Sequence, residues 1–325
     1  MGEHTETLDR ELRRRLLQAD QPLPRYDFIF PGRAGRLRHW LRGRVPLAVK
    51  IGIAELLGRL DRWRRPSELA EARVVTEAIV AGTRRAGELE SIARRRLVSE
   101  RVRESAFWRA RWDRDHATGL DNMHAALDQG RGVIVSFCHL GSFQGSIGPL
   151  CTEGHRTTYI ATNSWFLDRP DGSAWGVRIE HWRRGLARMD GRIVRMPGTF
   201  DTMRALLERG EVTMLAFDMP GRSETQFLGK RVMLTSGTAK LALRTDSLVL
   251  PMRRVRRGLR IVSEYGHPLD PRRHLNAQSL QAELAGIHEH WILDLPEALE
   301  DPRRPGAWED GAGPSGWSCP AGDSA

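Results

Sequence analysis

Through the second half of the chain, short apolar runs alternate with amphipathic stretches of helical period. The clearest run is 133–138, Val-Ile-Val-Ser-Phe-Cys, which predicts a short buried strand. A helix over 120–129, ended by Gly130, leads into it. After it the pattern predicts strands over 157–162, 192–195 and 212–218, then 248–253 and 259–264. Helices are expected over 174–186, over 199–209 with Gly210 as the stop, over 236–245, and over 279–299 with an interruption before Pro296. Strands separated by single helices imply an α/β fold with a mainly parallel central sheet flanked by helices.

The first part of the chain reads differently. Residues 8–17 carry a helical pattern, and Gln21-Pro-Leu-Pro-Arg25 reads as a loop. From 45 to about 112 the pattern is helical, with few glycines and many Arg/Glu pairs three or four residues apart. Residues 45–60 form the most apolar stretch, but Lys50, Glu55 and Arg59 interrupt it and no run reaches the length needed to span a bilayer. An amphipathic helix fits better, with its apolar face either on a membrane surface or on the protein's own core. The tail from Asp301 is rich in Pro, Gly and Ser and should be loose. The expected organisation is therefore a helical region over 1–115 packed on the core, an α/β domain over 116–300, and a flexible tail over 301–325.

Composition narrows the partners without choosing one. Forty per cent apolar residues, with ten Trp and nine Phe, describe a folded chain, and a formal charge of +10 favours anionic partners. An anionic small molecule, an anionic membrane and nucleic acid share that sign. Arg94, Arg95, Arg96, Arg101 and Arg103 sketch a basic helix face, yet no nucleic-acid-binding signature accompanies them, and nucleic acid is not expected. Three scattered cysteines fit neither a disulfide framework nor a zinc site, so no metal is expected and a reducing cytoplasm is the natural compartment. No secretory leader is visible at Met1-Gly-Glu-His-Thr-Glu.

The candidate chemistry begins where the central strand ends. In Gly130-Arg-Gly-Val-Ile-Val-Ser-Phe-Cys-His-Leu-Gly-Ser-Phe-Gln144, a histidine leaves the core at the rim of the sheet, followed by a tight turn at Gly141 and a helix cap at Ser142. Cys138 adjoins His139, but consecutive strand residues face opposite sides, which argues against a Cys–His nucleophile. A second block reads Leu215-Ala-Phe-Asp-Met-Pro-Gly-Arg222, then Phe227-Leu-Gly-Lys-Arg231, Thr235-Ser-Gly-Thr238 and Leu248-Val-Leu-Pro-Met-Arg253. It suggests a strand ending in Asp218, a Gly/Arg loop, a helix start near Thr235 and another strand. Arg222 and Arg253 suit an anionic group, and Asn163 follows a strand end where it would line a pocket.

These two blocks resemble the lysophospholipid acyltransferase superfamily, and within it the lipid A acyltransferase branch. There the first block reads His-Phe-Gly-Asn-Trp-Glu, and the second runs from a strand-end Asp through Phe-Phe-Gly and Thr-x-Gly to a strand entering Pro and Arg. The resemblance spans roughly residues 130–254 and continues weakly to His290-Trp-Ile-Leu-Asp-Leu-Pro296. Gln144 stands where the family has a carboxylate.

What the resemblance implies is a glycerolipid-acyltransferase-like fold and acyl transfer from a thioester, on coenzyme A or an acyl carrier, to a hydroxyl or amine. His139 would be the general base, Gln144 its amide-bearing partner, and Ser142, Asn163, Asp218, Arg222, Thr235 and Arg253 would bind substrate. An amide can hold an imidazole by a hydrogen bond but supplies no charge to an imidazolium. Another carboxylate, Asp218 or Glu224, would then support His139, or the fold would run a different reaction. One such reaction is elimination or cyclisation in specialised metabolism with a sulfate or phosphate leaving group; a non-catalytic binder of anionic lipid or nucleic acid is a further alternative. A protein partner such as an acyl carrier protein, and a peripheral membrane contact, are compatible with each.

Overall fold

The computed structural model describes residues 44–108, 115–161, 174–195 and 199–300. The helix over 8–17, the loop at 21–25, Asn163 and the tail from 301 lie outside the described residues.

The central apolar run forms strand β2 (Val133–Phe137), buried along its whole length. The pleat sends alternate side chains to opposite faces. Val133, Val135 and Phe137 enter one core, while Ile134 and Cys138 enter another. A strand apolar on both faces needs cover on both sides, and helices supply it. Seven strands make the main sheet: β1 (His116–Thr118), β2, β3 (Thr157–Ala161), β4 (Arg192–Arg195), β5 (Val212–Ala216), β8 (Leu248–Arg257) and β9 (Arg260–Tyr265). Their order is β1-β9-β8-β2-β5-β3-β4. Neighbours run parallel except for the β8–β9 pair. The mainly parallel α/β architecture follows directly.

Helices α4 (Leu120–Leu127), α5 (Ile147–Thr152) and α6 (Ala174–Arg188) cover the face that receives Phe137. Helices α7 (Thr199–Leu207), α8 (Gly237–Thr245) and α9 (Ala277–Asp294) cover the other. That second core also takes Val75, Ile79 and Val80 from α2 (Pro66–Val80) and Ile92 from α3 (Leu89–Phe107). The N-terminal helices thus share the core of the sheet. The earlier helix α1 (Leu47–Arg64) packs on α3.

Two departures from the sequence pattern matter. The segment after Asp218, expected as a Gly/Arg loop, is an antiparallel hairpin of β6 (Pro220–Phe227) and β7 (Lys230–Leu234). Its two-residue turn puts Leu228 at φ 52° and Gly229 at φ 72°, the twist a tight hairpin prefers. Leucine is a poor residue there. Burial of its side chain, and a 2.6 Å hydrogen bond from its N–H to the Glu289 carboxylate, hold it in place. The late helix breaks before Pro296, as expected, but does not resume: it ends at Asp294, and Pro296–Ala298 form a short 3-10 turn.

The arginines read as a basic helix face are each matched with an acid. Arg94 pairs with Glu90, Arg95 with Glu297, Arg96 with Glu100, Arg101 with Asp61, and Arg103 with Glu300.

Candidate active site

Strands β2 and β5 pair in parallel from Val133↔Val212 to Phe137↔Ala216. The register carries on past the strands, with the Phe217 N–H donating to the Phe137 carbonyl at 2.7 Å. Extended by two residues, it puts His139 opposite Asp218 on one face at the carboxyl rim of the sheet. This is the rim where open parallel sheets place their ligands. The histidine Nδ1 lies 2.8 Å from Asp218 Oδ1, and the His139 backbone N–H donates to Oδ2 at 2.9 Å.

Asp218 is buried, whereas the His139 side chain keeps 26% of its surface exposed. Burial pushes the Asp218 carboxyl up, but the His139 charge and hydrogen bonds from its ring and backbone together pull it below the ordinary carboxylate value. An ionised carboxylate at Nδ1 assigns the proton to that nitrogen and makes Nε2 the basic one.

The loop after His139 is tied on every side. Leu140 forms a bridge with Leu299, the Gly141 N–H donates to the Ala298 carbonyl at 2.9 Å, and the Glu300 N–H donates to the His139 carbonyl at 2.9 Å. The segment after α9 therefore straps the loop down. Gly141 has φ 63°, and a Cβ there would stand 2.3 Å from the Arg254 carbonyl oxygen. A Cβ on Gly145 would stand 2.9 Å from two guanidinium nitrogens of the same arginine. Both glycines are thus required by Arg254, which is fully buried and ion-paired with Asp115.

The loop closes with a 3-10 turn, Phe143–Gly145. Tyr159 Oη donates to the Phe143 carbonyl at 3.2 Å, and Trp182 Nε1 donates to the Gln144 carbonyl at 3.0 Å. The Phe143 ring stands edge-on to the His139 imidazole, centroids 4.6 Å apart.

The other candidate residues are dispersed. Gln144 lies on the turn, and its buried Oε1 has no hydrogen-bond partner among the described residues. Ser142 is buried and makes no side-chain cap bond to the 3-10 turn that follows it. Thr235 Oγ1 accepts from the Gly237 N–H at 3.3 Å, and its own N–H donates to the Met219 carbonyl at 2.9 Å. It thereby joins the start of α8 to the residue after Asp218.

Arg222 is exposed on β6. Arg253 lies within β8, not at a strand end; it binds Glu264 at 2.7 Å and Asp294 at 3.1 Å, leaving it poorly placed to take an anion. Glu224 is exposed on the hairpin, 4.0 Å from Arg231, so Asp218 is the carboxylate that meets His139. Burial raises the Cys138 thiol well above its ordinary value, which keeps it protonated.

The structure adds residues that sequence reasoning passed over. His288 lies behind Asp218's strand, its ring against Phe217 and its Nε2 3.0 Å from Ser136 Oγ. Burial lowers its pKa to about 4, against the opposing pull of Asp218, so it stays neutral. The signal was its place on the buried stripe of α9 with Leu280, Leu284 and Ile292, four residues apart. Asp115, Arg254 and the 296–300 strap are joined to the site only by tertiary structure.

A carboxylate-backed histidine thus stands on the carboxyl rim of a mainly parallel α/β sheet. The model of the bacterial lipid A biosynthesis acyltransferase family matches residues 87–298, a span that holds both His139 and Asp218. The chain belongs to that family. Among solved structures it is similar to the 1-acyl-sn-glycerophosphate (LPA) acyltransferase PlsC from Thermotoga maritima. That likeness has 14% identity and a TM-score of 0.37, over 80% of this chain and 97% of the other. No curated protein matches the chain. Among the described residues no cluster of three or more potential metal ligands occurs, and no helix is long and apolar enough to cross a membrane.

Proposed function

We propose that this protein transfers an acyl group from a thioester to a hydroxyl or amine, with His139 as the general base. The observation that carries the reading is the 2.8 Å bond between His139 Nδ1 and Asp218. Nε2 takes the proton of the acceptor as its oxygen or nitrogen attacks the thioester carbonyl. The tetrahedral adduct then collapses: the carbon–sulfur bond breaks, and the departing thiolate receives the proton from the imidazolium. Asp218 keeps the imidazole in the required tautomer and stabilises the transient cation. This assigns to Asp218 the task that the resemblance gives to position 144. The donor is acyl-CoA or an acyl carrier thioester, and Thr235 positions the Asp218 segment.

A second reading draws on Arg222, exposed beyond Asp218 on β6. There the same base would abstract a proton while a sulfate or phosphate leaves, giving elimination or cyclisation. The carboxylate engagement of Arg253 removes one of the two guanidinium groups this reading relied on, so acyl transfer is preferred.

Intact-mass analysis of products separates the two. Wild-type protein and His139→Ala, given acyl-CoA and acyl carrier thioesters with candidate acceptors, should differ by at least about 10²-fold in acylated product. No acyl transfer from any donor by the wild type would overturn the proposal. Release of sulfate or phosphate from an anionic substrate would favour the second reading.

A further inference from the structure

The bond to Asp218 fixes one point of the His139 ring, at Nδ1. One hydrogen bond acts as a hinge, and tilting about it sweeps Nε2, the atom that meets the acceptor, through an arc. The bond from the His139 backbone N–H to Oδ2 steadies the carboxylate and not the ring. A base aimed in advance therefore takes a second constraint on the imidazole. Phe143 supplies one. Its ring stands at 78° to the imidazole with centroids 4.6 Å apart, an arrangement that aromatic pairs favour. Behind it Phe137 stacks at 20° and 5.8 Å, and Phe137 also meets the imidazole at 6.0 Å. Phe137 is the buried last residue of β2 and is placed by the sheet. Phe143 lies on the 3-10 turn, so its place depends on what holds that turn.

The grip comes largely from elements outside the loop. Ser146 Oγ donates to the Phe143 carbonyl at 2.5 Å. Tyr159 Oη, on β3, reaches the same carbonyl at 3.2 Å and also bonds Ser146 Oγ. Trp182, on α6, takes the next carbonyl, that of Gln144. The Tyr159 ring packs edge-on against Phe137 at 5.9 Å and against Trp182 at 5.7 Å. Tyr159 thus touches both aromatic neighbours of the base, Phe137 through its ring and the Phe143 main chain through its hydroxyl. It does so from a strand that β5 separates from β2.

Packing alone would be met by a phenylalanine at 159, and burying a hydroxyl costs free energy unless it is bonded. The bonds of this hydroxyl go to the turn and to the residue that ends it. Burial pushes the hydroxyl well above its ordinary value, against the opposing hydrogen bond of Ser146, so it stays protonated and donates. We propose that Tyr159 is a positioning residue for the base: its hydroxyl holds the turn that sets the Phe143 ring against the imidazole, and so fixes where Nε2 points. The inference rests on His139 acting as the base.

Two measurements on the full chain test it, and the first needs no turnover. In protein labelled with nitrogen-15 histidine, the Nδ1–H shared with Asp218 should give a downfield, slowly exchanging proton resonance, assigned by its loss in His139→Ala. Tyr159→Phe keeps the ring and removes the hydroxyl, and it should speed exchange of that proton at least about threefold; Phe143→Leu should speed it further. The second is steady-state kinetics. Tyr159→Phe should lower kcat about tenfold with KM for the acyl donor unchanged, and Phe143→Leu about 10²-fold. Phe143→Trp, which puts back an aromatic ring, should recover most of what Phe143→Leu loses. A resonance absent from the wild type, or unmoved in both Tyr159→Phe and Phe143→Leu, would overturn the proposal, whatever happens to the melting temperature. So would an effect on KM alone, or equal turnover of the leucine and tryptophan variants. If the wild type transfers no acyl group, the acyl-transfer reading fails, while the resonance still decides whether Tyr159 holds the ring of His139.

Discussion

His139 and Gln144 stand five residues apart in one loop, yet they are supported in opposite ways. His139 receives a carboxylate from the next strand through both its ring and its backbone N–H. Gln144 is held only by its main chain, through Trp182, and its side-chain oxygen is buried without a partner among the described residues. The carboxylate beside this histidine therefore comes from two residues past the end of a neighbouring strand and not from position 144. The pairing register makes that placement secure.

The largest effect expected from breaking this contrast is at Asp218. Asp218→Asn keeps the shape and removes the charge, and it should lower turnover by about 10²- to 10⁴-fold with little change in substrate affinity. Steady-state kinetics on the acyl donor would check it, and a KM effect alone would reassign Asp218 to substrate binding. The same variant has a signature in stability. The Asp218 carboxyl is held below its unfolded value. Its contribution is thus present above the unfolded carboxylate range near pH 4 and is lost as pH falls through the folded value. Acid titration of stability should be steeper in wild type than in Asp218→Asn.

Next in size comes the buried ion pair beneath the loop. Asp115→Asn removes the carboxylate paired with the buried Arg254 beside Gly145, and should cost about 3–5 kcal/mol in chemical denaturation. A variant as stable as wild type would remove Arg254 from the support of the turn.

The smallest effect should come from restoring the motif acid. Gln144→Glu is expected to leave turnover no higher than wild type, because Nδ1 already has its carboxylate. Stability should fall by about 1–3 kcal/mol as a buried oxygen without a partner becomes a carboxylate. If Gln144→Glu instead rescued Asp218→Asn, the two positions would share one task and the contrast would collapse.

Much of this was legible in the residues. The unbroken run at 133–138 reads as a two-sided strand because both of its faces are apolar, and the structure buries both. His139 could be placed at a strand end because the run stops there. What could not be read was pairing: Glu224 and Asp218 are equally plausible partners until the β2–β5 register sets one against the ring and sends the other to an exposed hairpin. That hairpin was hidden because its turn uses Leu228, a residue whose left-handed conformation depends on burial and on Glu289. The pairing of the α3 arginines was hidden for the same reason, since the acids that meet Arg95 and Arg103 lie about two hundred positions away, at Glu297 and Glu300.

The strap formed by residues 296–300 gives the molecule an order of assembly. The strands that carry His139 and Asp218 precede it, yet the carbonyl of His139 and the N–H of Gly141 find their backbone partners only in Glu300 and Ala298. During synthesis the sheet can close while this loop still waits for its last two bonds. A nascent chain halted before Pro296 would hold every strand of the sheet while the loop after His139 still lacked these two bonds, so the loop is finished by residues that follow all the strands.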